Sequence, residues 1–121
     1  DGASLRPVLD GSGGLRPRDL VWHYPHYSNQ GGRPAAALIA GDGPRPGVEK
    51  LVEHFEDGRV ELFDLADDPG EYRDLVAERP ERAQVLQRRL AAWRESVGAA
   101  MPSRNPAPVD AFGPDAVPPQ R

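Results

Sequence analysis

The dipeptide Asp57-Gly58, set between "VEKLVEHFE" and "RVELFDL", constrains the fold more than any other feature of the chain. Asp-Gly is favoured in tight turns whose central residues take positive φ, and both flanks alternate apolar and polar side chains. Leu51 and Phe55 share one face of the first flank, and Val60 and Leu62 share one face of the second. The pattern predicts a β-hairpin that pairs residues 51–56 with residues 59–65 across a two-residue turn. "ADDPGE" at 66–71 then ends the second strand.

The elements on either side follow from local signals. Leu20–Tyr24 ("LVWHY") is a run of strand formers stopped by Pro25. "PAAALIA" at 34–40 suits a strand or a short turn of helix, and "GDGPRPG" at 41–47 can continue neither. Pro80 fits the first position of a helix. From there Ala83, Leu86, Leu90, Trp93 and Val97 recur at spacings of three and four, which predicts an amphipathic helix capped by Gly98. Arg82, Arg88, Arg89 and Glu95 lie off that stripe, and the simplest reading makes them a solvated face. The expected fold is therefore α+β: a small antiparallel sheet of three to four strands, including the hairpin, packed against one C-terminal helix. Leu86, Leu90 and Trp93 should meet Leu51, Phe55 and Leu62. Each such side chain contributes about 1.5–3 kcal/mol when buried. So few of them barely offset the ordering of so many loops, which suggests that the domain leans on a neighbour. The reading divides the chain into a connector (1–19), a folded subdomain (20–100) and a Pro-rich tail (101–121), disordered or an extended strap.

Composition narrows the function classes. The formal net charge is −4, so there is no basic footprint for nucleic acid or anionic lipid. There is no cysteine, which removes disulfides, thiolate metal ligands and a cysteine nucleophile. No apolar run approaches the roughly 20 residues of a membrane span. The chain begins at Asp1 without a Met or a signal-like segment, so it reads as a fragment and its compartment stays open.

Few residues stand out chemically. "WHYPHYSNQGG" at 22–32 concentrates aromatic and imidazole side chains. It reads as an irregular strand end, as a metal site using His23 and His26, or as a ligand-facing loop. The metal reading lacks a third ligand, and none is assigned. Asp67, Asp68 and Glu71 match no EF-hand spacing and read as a turn. Lys50, the sole lysine, reads as a solvated edge charge. No residue here reads as catalytic.

Two motifs connect the chain to a known family. "DGASLRPVLDG" follows D-G-x-S-L-x-P-x-L-x-G, and "ELFDLADDPGEYRDL" follows L-x-[DN]-L-x-x-D-P-x-E-x-x-x-L. In this order, with a hairpin between them and a helix after, they resemble the C-terminal subdomain of sulfatases of the arylsulfatase type, within the alkaline-phosphatase-like superfamily. The resemblance runs from Asp1 to about Pro102. It departs from the family's G-D-W-K-L before the hairpin: Gly41-Asp42 is separated from Lys50-Leu51 by "GPRPGVE", and the Trp is absent. Strand pairing around residues 35–50 is therefore left open. Ala100–Arg104 matches C-x-P-S-R except at the nucleophile, where a methyl group cannot become an aldehyde.

The resemblance implies a four-stranded antiparallel sheet with a C-terminal helix, attached to the protein's own catalytic domain upstream. That domain would supply a formylglycine nucleophile and a calcium ion; neither cofactor belongs to this chain. The implied reaction is hydrolysis of sulfate esters of small molecules or carbohydrates, and an extracytoplasmic location fits the family. This chain would contribute packing and a wall of the substrate pocket. His23, Tyr24, His26, Tyr27, Asn29 and Arg33 are the candidate rim. The alternatives are the same subdomain of a phosphonate or phosphodiester hydrolase, or a free-standing binding module without catalysis.

Overall fold

The computed structural model describes residues 2–42 and 48–103. The centre of the Gly/Pro loop and nearly all of the Pro-rich tail lie outside those residues. In chain order the elements are α1 (Arg6–Leu9), β1 (Leu20–Tyr24), β2 (Ala35–Ile39), β3 (Glu49–His54), β4 (Val60–Asp64) and α2 (Pro80–Val97). The four strands form one antiparallel sheet in the order β1-β2-β3-β4, and α2 lies over β2, β3 and β4. This is the expected α+β architecture. The segment before β1, read as an extended connector, contains the single helical turn α1.

Register explains the core. Val21, Leu38, Leu51 and Leu62 lie side by side across the four strands. Leu38, Leu51 and Leu62 are fully buried with Leu86 and Leu90 of α2. Ala36, Ala40, Leu75 and Ala83 complete the cluster, with Phe55 and Val60 packed at its margin. The stripe of α2 fades along its length, since Trp93 is half-buried and Val97 exposed. Gly98 ends the helix at φ 59°, where its N–H and that of Ala99 bond the carbonyls of Glu95 and Arg94.

Three expectations are corrected. First, the hairpin turn is four residues, Phe55–Gly58, and not two. Gly58 N–H donates to His54 O at 3.0 Å and His54 N–H to Arg59 O at 2.9 Å. Only Gly58 has positive φ (71°); Asp57 instead accepts the Arg59 N–H on its carboxylate at 2.9 Å. The longer loop lets Phe55 stay against β2, donating its N–H to Pro34 O, while its ring packs on the core.

Second, Lys50 is not an edge charge. It sits on the interior strand β3, and its ammonium contacts both carboxylate oxygens of Glu71 at 2.7 and 2.8 Å. Glu71 itself holds a positive φ of 57° in the D-P-G-E turn.

Third, the arginine face of α2 is not simply solvated. Arg82 bonds Asp42 and Glu49, Arg89 bonds Asp19 and Asp42, and Arg94 bonds Glu53. These carboxylates come from the segment before β1, from the loop after β2 and from β3. The guanidinium groups therefore rivet the helix to the sheet around the apolar core. They also hold the Asp42 carboxyl far below the usual carboxylate range, through Arg82 first and Arg89 second.

Candidate functional site: the β1–β2 loop

Alternation along β1 decides the fate of the aromatic cluster. Side chains of successive strand residues point to opposite faces. Val21 and His23 turn toward α2, and Leu20, Trp22 and Tyr24 turn to the outer face, where all three are exposed. His23 consequently sits apart from the other candidate rim residues. Its ring packs between Phe55 and Trp93, with centroids at 5.4 and 6.3 Å, and its Nε2 lies 2.7 Å from Ala100 O. A carbonyl oxygen only accepts, so Nε2 carries the proton.

The remaining candidates stay with the loop. Ser28 organises it: its N–H donates to Gly32 O, its carbonyl accepts from Gly31 N–H, and its Oγ accepts from Gly32 N–H at 2.8 Å. Gly31, at φ 88°, makes the reversal that an L side chain resists. Pro34 is buried and fixes the return into β2. Tyr27 donates its hydroxyl proton to Glu56 Oε1 at 2.7 Å, and Arg33 approaches Glu56 Oε2 at 3.3 Å. The hydrogen bond to Glu56 raises the Tyr27 pKa above its ordinary value, keeping the phenol protonated. His26 is exposed and stands edge-on to Tyr24 at 5.7 Å, and Asn29 is exposed.

Glu56 was invisible to sequence reasoning, because nothing in the spacing of 27, 33 and 56 links a loop to a hairpin turn. Register alone brings them together, as β2 pairs with β3 up to Ala35 and His54. The same end of the outer face carries a second group missed from sequence. His54 Nε2 is 2.6 Å from Glu61 Oε2, and Arg59 bonds the other Glu61 oxygen. Burial pushes the Glu61 pKa up, but the bonds from His54 and Arg59 outweigh it and the net shift is downward. Residues 54 and 61 flank the hairpin, and the alternation that placed Val60 and Leu62 on the core face leaves both outside.

The loop thus presents a guanidinium, a neutral phenol, an imidazole and an amide side chain on a frame fixed by its own backbone bonds. Arg33 keeps N–H donors beyond the one directed at Glu56. Such a surface can donate hydrogen bonds to an anion or a hydroxylated ligand, and its rings can lie along a sugar or aryl face. Among the described residues no group of three or more His, Asp or Glu is placed to hold a metal ion, and no helix is long and apolar enough to cross a membrane.

No family model matches the chain. A curated protein of Formosa agariphila described as a sulfatase is 30% identical over 100 residues, which cover 77% of this chain. The chain is similar to part of a sulfatase. It spans 18% of that relative's length, so the relative's activity belongs to a much larger protein.

Proposed function

We propose that this chain is the C-terminal subdomain of a sulfatase-like hydrolase of sulfate esters, and that its β1–β2 loop forms part of the substrate-pocket wall. The similarity to a sulfatase and the two flanking motifs support the family, and the preorganised loop supports the role. The observation that carries the role is the junction of Tyr27 and Arg33 on Glu56, which fixes an otherwise Gly-rich loop against the hairpin turn. In this reading a formylglycine nucleophile and a calcium ion that offsets sulfate charge would belong to an upstream catalytic domain, which would carry the chemistry at sulfur. This chain supplies positioning only.

Tyr24, His26, Tyr27, Asn29 and Arg33 form the rim, and His23 supports it from behind the sheet. Arg33 would hold an anionic or hydroxyl group of the substrate beyond the scissile ester. His26 and Tyr24 would offer flat surfaces to a sugar ring.

The test uses the polypeptide that includes the catalytic domain. His26→Ala and Arg33→Ala should each lower kcat/KM on a sulfated carbohydrate while leaving a small aryl sulfate nearly unaffected. A lost contact of this kind is worth about 0.5–1.5 kcal/mol, or up to about 3 when charged, hence roughly twofold to a hundredfold in kcat/KM. Equal losses on both substrates would remove the loop from the pocket.

A further inference from the structure

The two edges of the sheet are finished differently. On β4, Leu62 N–H donates to Asp74 Oδ1 at 3.0 Å, and Leu62 O accepts from Leu75 N–H at 2.8 Å. The segment after β4 therefore seals the middle of that edge. β1 has no such cover: among the described residues, no backbone group of 20–24 bonds outside the ladder with β2.

The ladder also shows which groups are left over. Ala40 N–H bonds Glu49 O and Phe55 N–H bonds Pro34 O, so the even-numbered residues of β2 face β3. Ala35, Ala37 and Ile39 are left for β1, where they pair with Tyr24, Trp22 and Leu20. Val21 and His23 consequently direct their N–H and C=O groups away from the sheet. No charge and no proline interrupts the strand, although these are the usual guards of an edge. The helix reaches β1 through Trp93, against the His23 ring, and lies mainly over β2, β3 and β4. Beside it runs a cleft of about 400 Å³ lined by Arg18, Asp19, Leu20, Val21, Trp22 and Trp93. On the outer face Leu20, Trp22 and Tyr24 are 42%, 54% and 49% exposed.

We propose that β1 is a dimerisation edge, at which two copies of the chain pair antiparallel about a two-fold axis through Trp22. The strand is self-complementary in that register. Val21 of each copy lies opposite His23 of the other and exchanges both backbone hydrogen bonds with it, so every outward group is satisfied. Trp22 meets its own counterpart in the closer, non-hydrogen-bonded pair, and Leu20 meets Tyr24. No like charges are opposed. The product is a continuous eight-stranded sheet. Because the middle of β4 is sealed, β1 is the open edge among the described residues, and the assembly closes at two copies instead of growing into a fibre. The edge shares Tyr24 with the proposed rim but none of the loop residues 26–33, and the pairing is argued from backbone register alone, without the sulfatase reading.

The chain contains no cysteine, which makes a single introduced thiol a specific reporter. Non-hydrogen-bonded antiparallel pairs hold Cα atoms about 4.5 Å apart, within disulfide reach, so Trp22→Cys should crosslink to a dimer under mild oxidation roughly tenfold faster than the exposed control Tyr72→Cys. Sedimentation equilibrium of the unmodified chain should give twice the single-chain mass. Trp22→Lys, which opposes two ammonium groups at the axis, should return it to the monomer with its helical circular dichroism intact, and Tyr72→Lys should not. A monomer at hundreds of micromolar, equal crosslinking of the two cysteine variants, or a dimer that survives Trp22→Lys would each overturn the proposal. A monomer whose Val21 and His23 amides nevertheless resist hydrogen exchange would give the edge to another segment, and would overturn it equally.

Discussion

His23 Nε2 lies 2.7 Å from the carbonyl oxygen of Ala100, joining the first strand to the residue two beyond the helix cap across 77 positions of sequence. The bond and the flanking rings of Phe55 and Trp93 close the end of the core that the stripe of α2 leaves open.

His23→Ala should therefore act on stability. The hydrogen bond is worth about 0.5–1.5 kcal/mol and the ring contacts a similar amount, so the loss should be about 1–3 kcal/mol. The melting temperature should fall by roughly 5–20 °C in a domain of this size. A thermal melt that matches the unmodified chain would show that the clamp contributes nothing.

The Asp42 carboxyl carries a pH dependence. Its pKa is depressed in the folded state by Arg82 and Arg89. The associated stability is complete above the unfolded value of about 4 and drains away as pH falls toward the folded value. Asp42→Asn should lower the melting temperature at pH 7, modestly because the side chain is half exposed. The gap between the two proteins should narrow as pH drops below about 4. A gap that stays constant from pH 7 to strongly acidic conditions would remove Asp42 from the network's energetics.

Gly58 is a clean test of backbone strain. Its φ is +71° and a Cβ there would meet nothing within 4 Å, so a side chain costs conformation and not space. Gly58→Val should destabilise by about 1–2 kcal/mol, whereas Gly58→Asn, which tolerates the left-handed region, should cost less. Equal melting temperatures for the two variants would contradict this turn geometry.

Glu53 and Arg94 form the most enclosed ion pair among the described residues, with side chains 14% and 13% exposed. Arg94 also stands 5.6 Å over the Phe55 ring, and Gln87 donates to Glu53 at 3.3 Å. Arg94→Met leaves the carboxylate without its counterion and should cost about 3–5 kcal/mol. Adding Glu53→Met should recover part of that loss, because the uncompensated charge is then gone. A double variant less stable than Arg94→Met alone would show that the pair contributes through packing only.

Residues with local instructions were legible in the chain. Leu20–Tyr24 is bounded by Pro25, and Pro80–Val97 lies between an initiating proline and a glycine cap, so both elements form where the sequence places them. Likewise the apolar stripe from Ala83 to Leu90 is set by helical period, and it is the stripe that the sheet buries. The hairpin was legible in position but not in loop length, because the attachment of Phe55 to Pro34 is a contact with another strand.

What the tertiary structure alone decided concerns partners distant in sequence. Helical period puts Arg82 and Arg89 beside the apolar stripe, but it does not announce that Asp19 and Asp42 will meet them from loops on the far side of the chain. The two histidines of "HYPH" show the same division. Strand alternation separates His23 from its neighbours Trp22 and Tyr24, yet which set faces the helix depends on the pairing of Val21 with Leu38 and of His23 with Ala36. A one-residue slip would exchange the two faces. His26 lies outside in the loop beyond β1, and His23 lies inside because register is a property of paired strands, which no strand carries alone.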